Sequence, residues 1–166
     1  MTEFRVDRLL GTLTAHGVDF VVVGGIAATL LGSARDTFDL DICPATDRKN
    51  LETLGKALVE LGAKLRGVEE PVPFVPDERT LGRVEVLTLE TDKGPLDILV
   101  RPDGCPPYEQ LRRRAERKDL GSFSVLVASI EDLIAIKESA GRPKDHVVVE
   151  ELEAIRGLRR RLGVSE

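Results

Sequence analysis

The stretch Val21-Val22-Val23-Gly24-Gly25 constrains the fold most, because a β-branched run stops at two glycines and an apolar segment with Ala27, Leu30 and Leu31 on one stripe follows at once. That order reads as strand, glycine turn and short helix ending near Gly32. A second run then alternates apolar with acidic residues as Phe38, Asp39, Leu40, Asp41, Ile42. Side chains on a strand point to alternate faces, so Asp39 and Asp41 are expected to project together, with Phe38, Leu40 and Ile42 on the opposite, apolar face.

Two carboxylates held this close repel, and half-burial raises the pKa of one of them unless a cation sits between. Mg2+ suits such a pair: it prefers oxygen ligands and takes one or two protein carboxylates, completing its shell with water and substrate phosphate. Gly24 and Gly25 supply the matching half, since bare backbone N–H groups at a helix start face an anion readily.

Further along, Val84 to Leu89 and Leu96 to Val100 read as a third and fourth strand joined through Asp92-Lys93-Gly94. Asp97 interrupts the second of them. A carboxylate in an apolar strand needs either a basic partner or a share of the same metal site. Phe123 to Val127 is a fifth strand, and Ser129 with Asp132 opens a helix by a capping pattern. Lys137 falls on the apolar stripe of that helix, where a lysine snorkels to the edge, pairs with an acid such as Asp145, or meets a phosphate.

The remaining elements read as scaffold or surface. Phe4 to Leu13 form a covering helix closed at His16-Gly17, with His16 placed to favour the helix dipole. A helix capped by Asp47 carries Leu51, Leu54, Leu58 and Leu61. Gly67 to Gly82, with Pro71, Pro73 and Pro76, reads as a long loop that serves as a connector or an acceptor lid. Tyr108 to Lys118 reads as a short polar helix whose Arg112, Arg113, Arg114, Arg117 and Lys118 form a solvated face or a nucleic-acid contact.

Composition bounds these readings. At 166 residues the chain is long enough for one domain, 1–166, with its own core. A formal charge of -5 argues against nonspecific coating of nucleic acid, and the absence of tryptophan argues against a base-stacking surface. No run is long enough to span a bilayer and the start lacks a signal-peptide plan, so a cytoplasmic protein with Cys43 and Cys105 as free thiols is expected.

The glycine pair Gly24-Gly25, Arg35-x-Thr37 and Asp39-x-Asp41 resemble the signature of the nucleotidyltransferase (DNA polymerase β-like) superfamily. The two-glycine form resembles the AbiEii/MenT-like group of small bacterial proteins within it. The resemblance covers roughly Phe20 to Leu152. It implies an α/β fold: a small mixed, twisted sheet of about five strands with helices packed on it and a C-terminal helical pair. It further implies that Asp97 fills the slot of a third acid, so that Asp39, Asp41 and Asp97 are catalytic residues holding Mg2+, two ions by analogy. Gly24, Gly25, Arg35, Thr37 and Lys137 would then line the nucleotide site, although Arg35 could equally form a surface pair with Asp36. The implied reaction moves an NMP from an NTP to a hydroxyl on a tRNA 3′ end, a protein or a small molecule such as an antibiotic. Some members of the group are toxins beside an antitoxin partner. A catalytically degenerate protein that binds nucleotide or a partner is the competing class, and the intact acids argue against it.

Overall fold

The computed structural model of the protein describes residues 3–68, 75–102 and 104–164. Among these residues the chain forms seven strands and seven helices in the order α1 (Val6–Ala15), β1 (Phe20–Val23), α2 (Gly24–Leu30), β2 (Leu40–Pro44), α3 (Arg48–Glu60), β3 (Lys64–Leu65), α4 (Glu78–Arg83), β4 (Val86–Thr91), β5 (Gly94–Leu99), α5 (Tyr108–Arg114), β6 (Glu116–Asp119), β7 (Ser124–Val127), α6 (Ile130–Ala140) and α7 (Pro143–Arg161). One sheet takes all seven strands in the order β3-β4-β5-β2-β1-β7-β6.

The sheet is mixed. β1 pairs antiparallel with β2 and parallel with β7, while β2 lies parallel to β5 at the centre. Registered partners share a face. The face opposite Asp41 and Asp97 therefore carries Val22, Leu40, Ile42, Leu96, Ile98 and Leu89, all of them fully buried. That apolar face joins Leu9, Leu10 and Leu13 of α1 and Leu51, Leu54 and Leu58 of α3 in one core cluster. Each such leucine contributes about 1.5–3 kcal/mol by leaving water, which is enough to seat polar groups on the other face.

The strand count exceeds the expected one because two short edges escape pattern reading. β3 is two residues long. β6, Glu-Arg-Lys-Asp, has no apolar alternation at all and is held by pairing with β7 and by the ion pair of Glu116 with Arg159 of α7 at 2.8 Å. It ends the helix at Arg114, four residues before the expected end at Lys118. Part of the expected loop forms α4, capped by Asp77, which accepts from the Thr80 amide at 2.8 Å. Pro71 and Pro73 lie outside the described residues. His16, read as a helix-dipole residue, also meets Glu60 across α1 and α3 at 2.8 Å.

Phe38 corrects the expected second strand. The strand begins at Leu40, residues 33–39 approach it as irregular chain, and Phe38 is 73% exposed instead of packing beside Leu40 and Ile42. Without a neighbouring strand at that point, nothing fixes its side chain to the buried face.

Candidate active site

Three carboxylates meet where β2 and β5 run side by side. The register sets Asp41 opposite Asp97, and Val23, the last residue before the glycines, opposite Asp41. Asp39 sits two residues before Asp41, just outside the strand. One oxygen from each of Asp39, Asp41 and Asp97 lies within 4.8 Å of the others, and all three side chains are half-buried.

Such an arrangement is costly without a cation. Burial first, then the charges of Asp39 and Asp97, push the Asp41 carboxyl up to about 8, with Lys137 working against the rise. Asp97 is also raised, by burial, while Arg66 pulls it back and Asp39 adds to it. Asp41 and Asp97 hydrogen-bond to each other in the sense that favours the proton on Asp41. An oxygen of Asp97 is buried without a hydrogen-bond partner. An all-oxygen donor set that is short of positive charge fits a hard divalent ion.

Asp97 has the basic partner that its place in an apolar strand demands, and also shares the carboxylate cluster. Arg66, in the turn after β3, brings Nη2 to 2.8 Å from Asp97 Oδ1. The contact is an ion pair, and the same Nη2 donates to the Leu89 carbonyl at 2.8 Å. Arg66 was not among the residues singled out from the sequence. Its one signal was the need of Asp97 for a cation, which names no position.

The glycine pair leaves room that side chains would fill. Gly24 has φ +69°, and a Cβ there would collide with Oδ2 of Asp41 and stand 2.8 Å from its Cγ. A Cβ on Gly25 would lie 2.8 Å from Oγ1 of Thr37. Thr37 donates to the Asp39 carbonyl at 3.3 Å, tying the approach segment to the acid that follows.

Around these groups lies a cleft of about 510 Å3 lined by Gly25, Arg35, Thr37, Asp39, Asp41, Asp97 and Lys137, together with Phe38 and Arg142. An adjoining, largely apolar cavity of about 230 Å3 takes in Gly24, Asp41, Leu133 and Lys137. All eight residues singled out as catalytic or nucleotide-binding therefore border one continuous region. The cations among them are already paired. Arg35 meets Glu151 of α7 at 2.6 Å rather than Asp36. The Ser33 hydroxyl, opposed by burial and helped by Arg35, holds Glu151 below the usual carboxylate range. Lys137 stands 3.5 Å from Asp145, which Arg142 also contacts at 2.9 Å. Burial pushes Asp145 up, but Arg142 and Lys137 outweigh it and hold the group low.

No sequence family matches the chain, and no curated protein matches it. Several solved structures are similar to it. The lincomycin-bound lincosamide antibiotic adenylyltransferase LnuA superposes with a TM-score of 0.61 at 18% identity, covering 90% of this chain and 95% of that one. The structure of ANT(2")-Ia in complex with adenylyl-2"-tobramycin gives 0.54 at 15% identity over 94% and 95%. An antigenic nucleotidyltransferase-like protein from Paracoccidioides brasiliensis gives 0.56 at 19% identity over 92% and 74%. At these identities the likeness is one of fold, and the fold is that of the nucleotidyltransferases. No described helix is long and apolar enough to cross a membrane.

Proposed function

We propose that the protein is a metal-dependent nucleotidyltransferase that moves an NMP from an NTP to a hydroxyl acceptor. The observation that carries this reading is the meeting of Asp39, Asp41 and Asp97 within 4.8 Å, beside a glycine pair that leaves their approach open. Asp39, Asp41 and Asp97 would hold Mg2+, which when bound supplies charge neutralisation at the triphosphate and the attacked phosphorus. Lys137, at the edge of both cavities, would exchange Asp145 for a phosphate oxygen. Thr37 and the backbone at Gly24 and Gly25 would orient the triphosphate, and Arg35 borders the same cleft. Asp97, which shares the carboxylate cluster and is paired with Arg66, would accept the proton of the incoming hydroxyl. Catalysis in this account is mostly positioning and charge stabilisation.

For the acceptor, the structural neighbours favour a small molecule. One of them is an antibiotic adenylyltransferase with lincomycin bound and another holds adenylyl-2"-tobramycin, and the likeness spans nearly their whole length. The glycine-pair resemblance to the AbiEii/MenT-like group keeps a tRNA end and a toxin role as the second reading, and Arg112 and Arg113, both exposed, are the local feature that suits RNA. Incubation with each α-labelled NTP and Mg2+ against a lincosamide, an aminoglycoside, total tRNA and a protein lysate tests both. Label on a small molecule supports the first, label on tRNA the second, and label on nothing with any NTP contradicts the proposal.

Two substitutions separate roles from scaffold. Asp97→Asn should lower transfer by roughly 100-fold or more while changing stability by no more than about 1 kcal/mol, because relief from Asp39 and Asp41 offsets the stranding of Arg66. Thermal melts beside transfer assays check it, and a strongly destabilised variant with intact transfer would make Asp97 structural. Lys137→Ala should weaken nucleotide binding about tenfold or more and leave Tm nearly unchanged, since Asp145 keeps Arg142 at 2.9 Å. A large drop in Tm with unchanged affinity would assign Lys137 to the helix pair instead.

A further inference from the structure

Cys43 and Cys105 are the only cysteines of the chain, yet they come together. Cys43 sits on β2 two positions past Asp41 and is 2% exposed. Cys105, in the segment between β5 and α5, is half-buried. Each thiol is the leading influence on the other's ionisation, with Cys43 raised and Cys105 lowered, as neighbouring side chains impose. Both line a cavity of about 360 Å3 with Thr46, Pro107 and Tyr108, and Cys105 also borders the cavity that holds Asp41 and Lys137. Two neighbouring thiols on one cavity, one of them reachable, can approach to bonding distance.

We propose that Cys43 and Cys105 form a reversible dithiol/disulfide site that is oxidised by a low-molecular-weight disulfide entering from the cavity both residues line. Cys105, the less buried thiol, reacts first. Its thiolate attacks one sulfur of the small disulfide, breaking that S–S bond, expelling one thiolate and leaving a mixed disulfide on Cys105. Cys43 then attacks the Cys105 sulfur, its proton passing to solvent, and the second small thiolate leaves. The two protein thiols lose two electrons, and the small disulfide gains them as two thiols.

The bond would clip the strand that carries Asp41 to a segment that buttresses the helix carrying Lys137. Gly104 (φ +76°) lies so close to Ser139 of α6 that a Cβ there would collide with the Ser139 hydroxyl. Fixing Cys105 to β2 thus fixes the support of the end of α6 relative to the carboxylates. This site stands independently of the nucleotidyl-transfer reading, because neither the juxtaposition nor its chemistry uses a nucleotide.

Oxidised glutathione is the probe. The full chain is incubated with it, unfolded, alkylated and weighed without reductant. The expected product is a monomer two hydrogens lighter than the reduced chain, with no alkylatable thiol, both thiols returning on addition of dithiothreitol. Its Tm should exceed that of the reduced chain by about 5 °C or more. Cys43→Ser should stop at a glutathione adduct on Cys105. Cys105→Ser should leave the buried Cys43 unmodified, and this second variant keeps the test open if the first fails to fold. Wild-type chain that retains two alkylatable thiols, stops at a mixed disulfide or forms a disulfide-linked dimer overturns the proposal, and each outcome leaves the nucleotidyl-transfer reading untouched.

Discussion

Replacing Asp41 by Asn is expected to abolish nucleotidyl transfer, by roughly 1000-fold or more, and to make the metal-free protein more stable at pH 8. Both effects have one cause. Burial and the neighbouring carboxylates raise the Asp41 carboxyl from 3.8 to about 8. Below pH 4 the folded and unfolded chains both hold this proton, and no penalty exists. Between pH 4 and 8 the unfolded chain has released it while the folded chain keeps it, so stability falls as pH rises, and above 8 the loss is complete. The penalty is on the order of 3–5 kcal/mol, and Asp97, also raised, adds in the same direction. Asn keeps the shape and removes the charge, so the variant should lose most of this slope. Metal binding must displace the same proton, and Mg2+ affinity of the wild type should rise by up to about tenfold per pH unit toward pH 8. Denaturant melts from pH 4 to 9 check the prediction. A flat wild-type profile, or a variant less stable than wild type at pH 8, would contradict it.

Gly24→Ala should damage the fold and the site together. The residue has φ +69°, a region that costs a side chain about 1–2 kcal/mol, and the new methyl group would collide with the Asp41 carboxylate. Asp41 cannot retreat easily, because it is registered against both Val23 and Asp97. The expected outcome is a stability loss of about 2–4 kcal/mol together with loss of metal-dependent nucleotide binding. Gly163→Ala serves as the control. It has φ +70° but nothing within 4 Å, so it should cost only about 1 kcal/mol and leave binding intact. Calorimetry and melts of the two variants side by side check this, and equal effects would mean that backbone strain alone explains Gly24.

The parts of this molecule that sequence reading captured are those with a strong local signature. The β-branched run ending in Gly24-Gly25 and the Ser129 cap each dictate backbone shape within a few residues and form where expected, whereas the Asp-x-Asp alternation is strand only from Leu40 onward. Asp97 was conspicuous because a charge stood in an apolar strand. Its partner was not, since Arg66 reaches it only after β3, β4 and β5 pair, and no spacing in the chain encodes that. The edge strand β6 was hidden for a related reason: a polar edge needs no alternation, only a neighbour. Phe38 shows the converse, an apolar residue in strand rhythm that lies one turn of chain too early to have a strand beside it. Of the acids that hold the cleft cations, Asp145 was legible as a partner of Lys137, whereas Glu151, which holds Arg35, comes from α7 with surroundings set by helix packing rather than by any motif.

Calorimetric titration of each NTP at pH 8, with and without Mg2+, decides whether Asp39, Asp41 and Asp97 hold a divalent ion together with a triphosphate. At least one NTP should bind wild-type protein with an affinity that falls about tenfold or more when Mg2+ is removed, and Asp41→Asn should lose that metal dependence while remaining folded. Binding that is the same with and without Mg2+, or no binding of any NTP in its presence, would contradict the account.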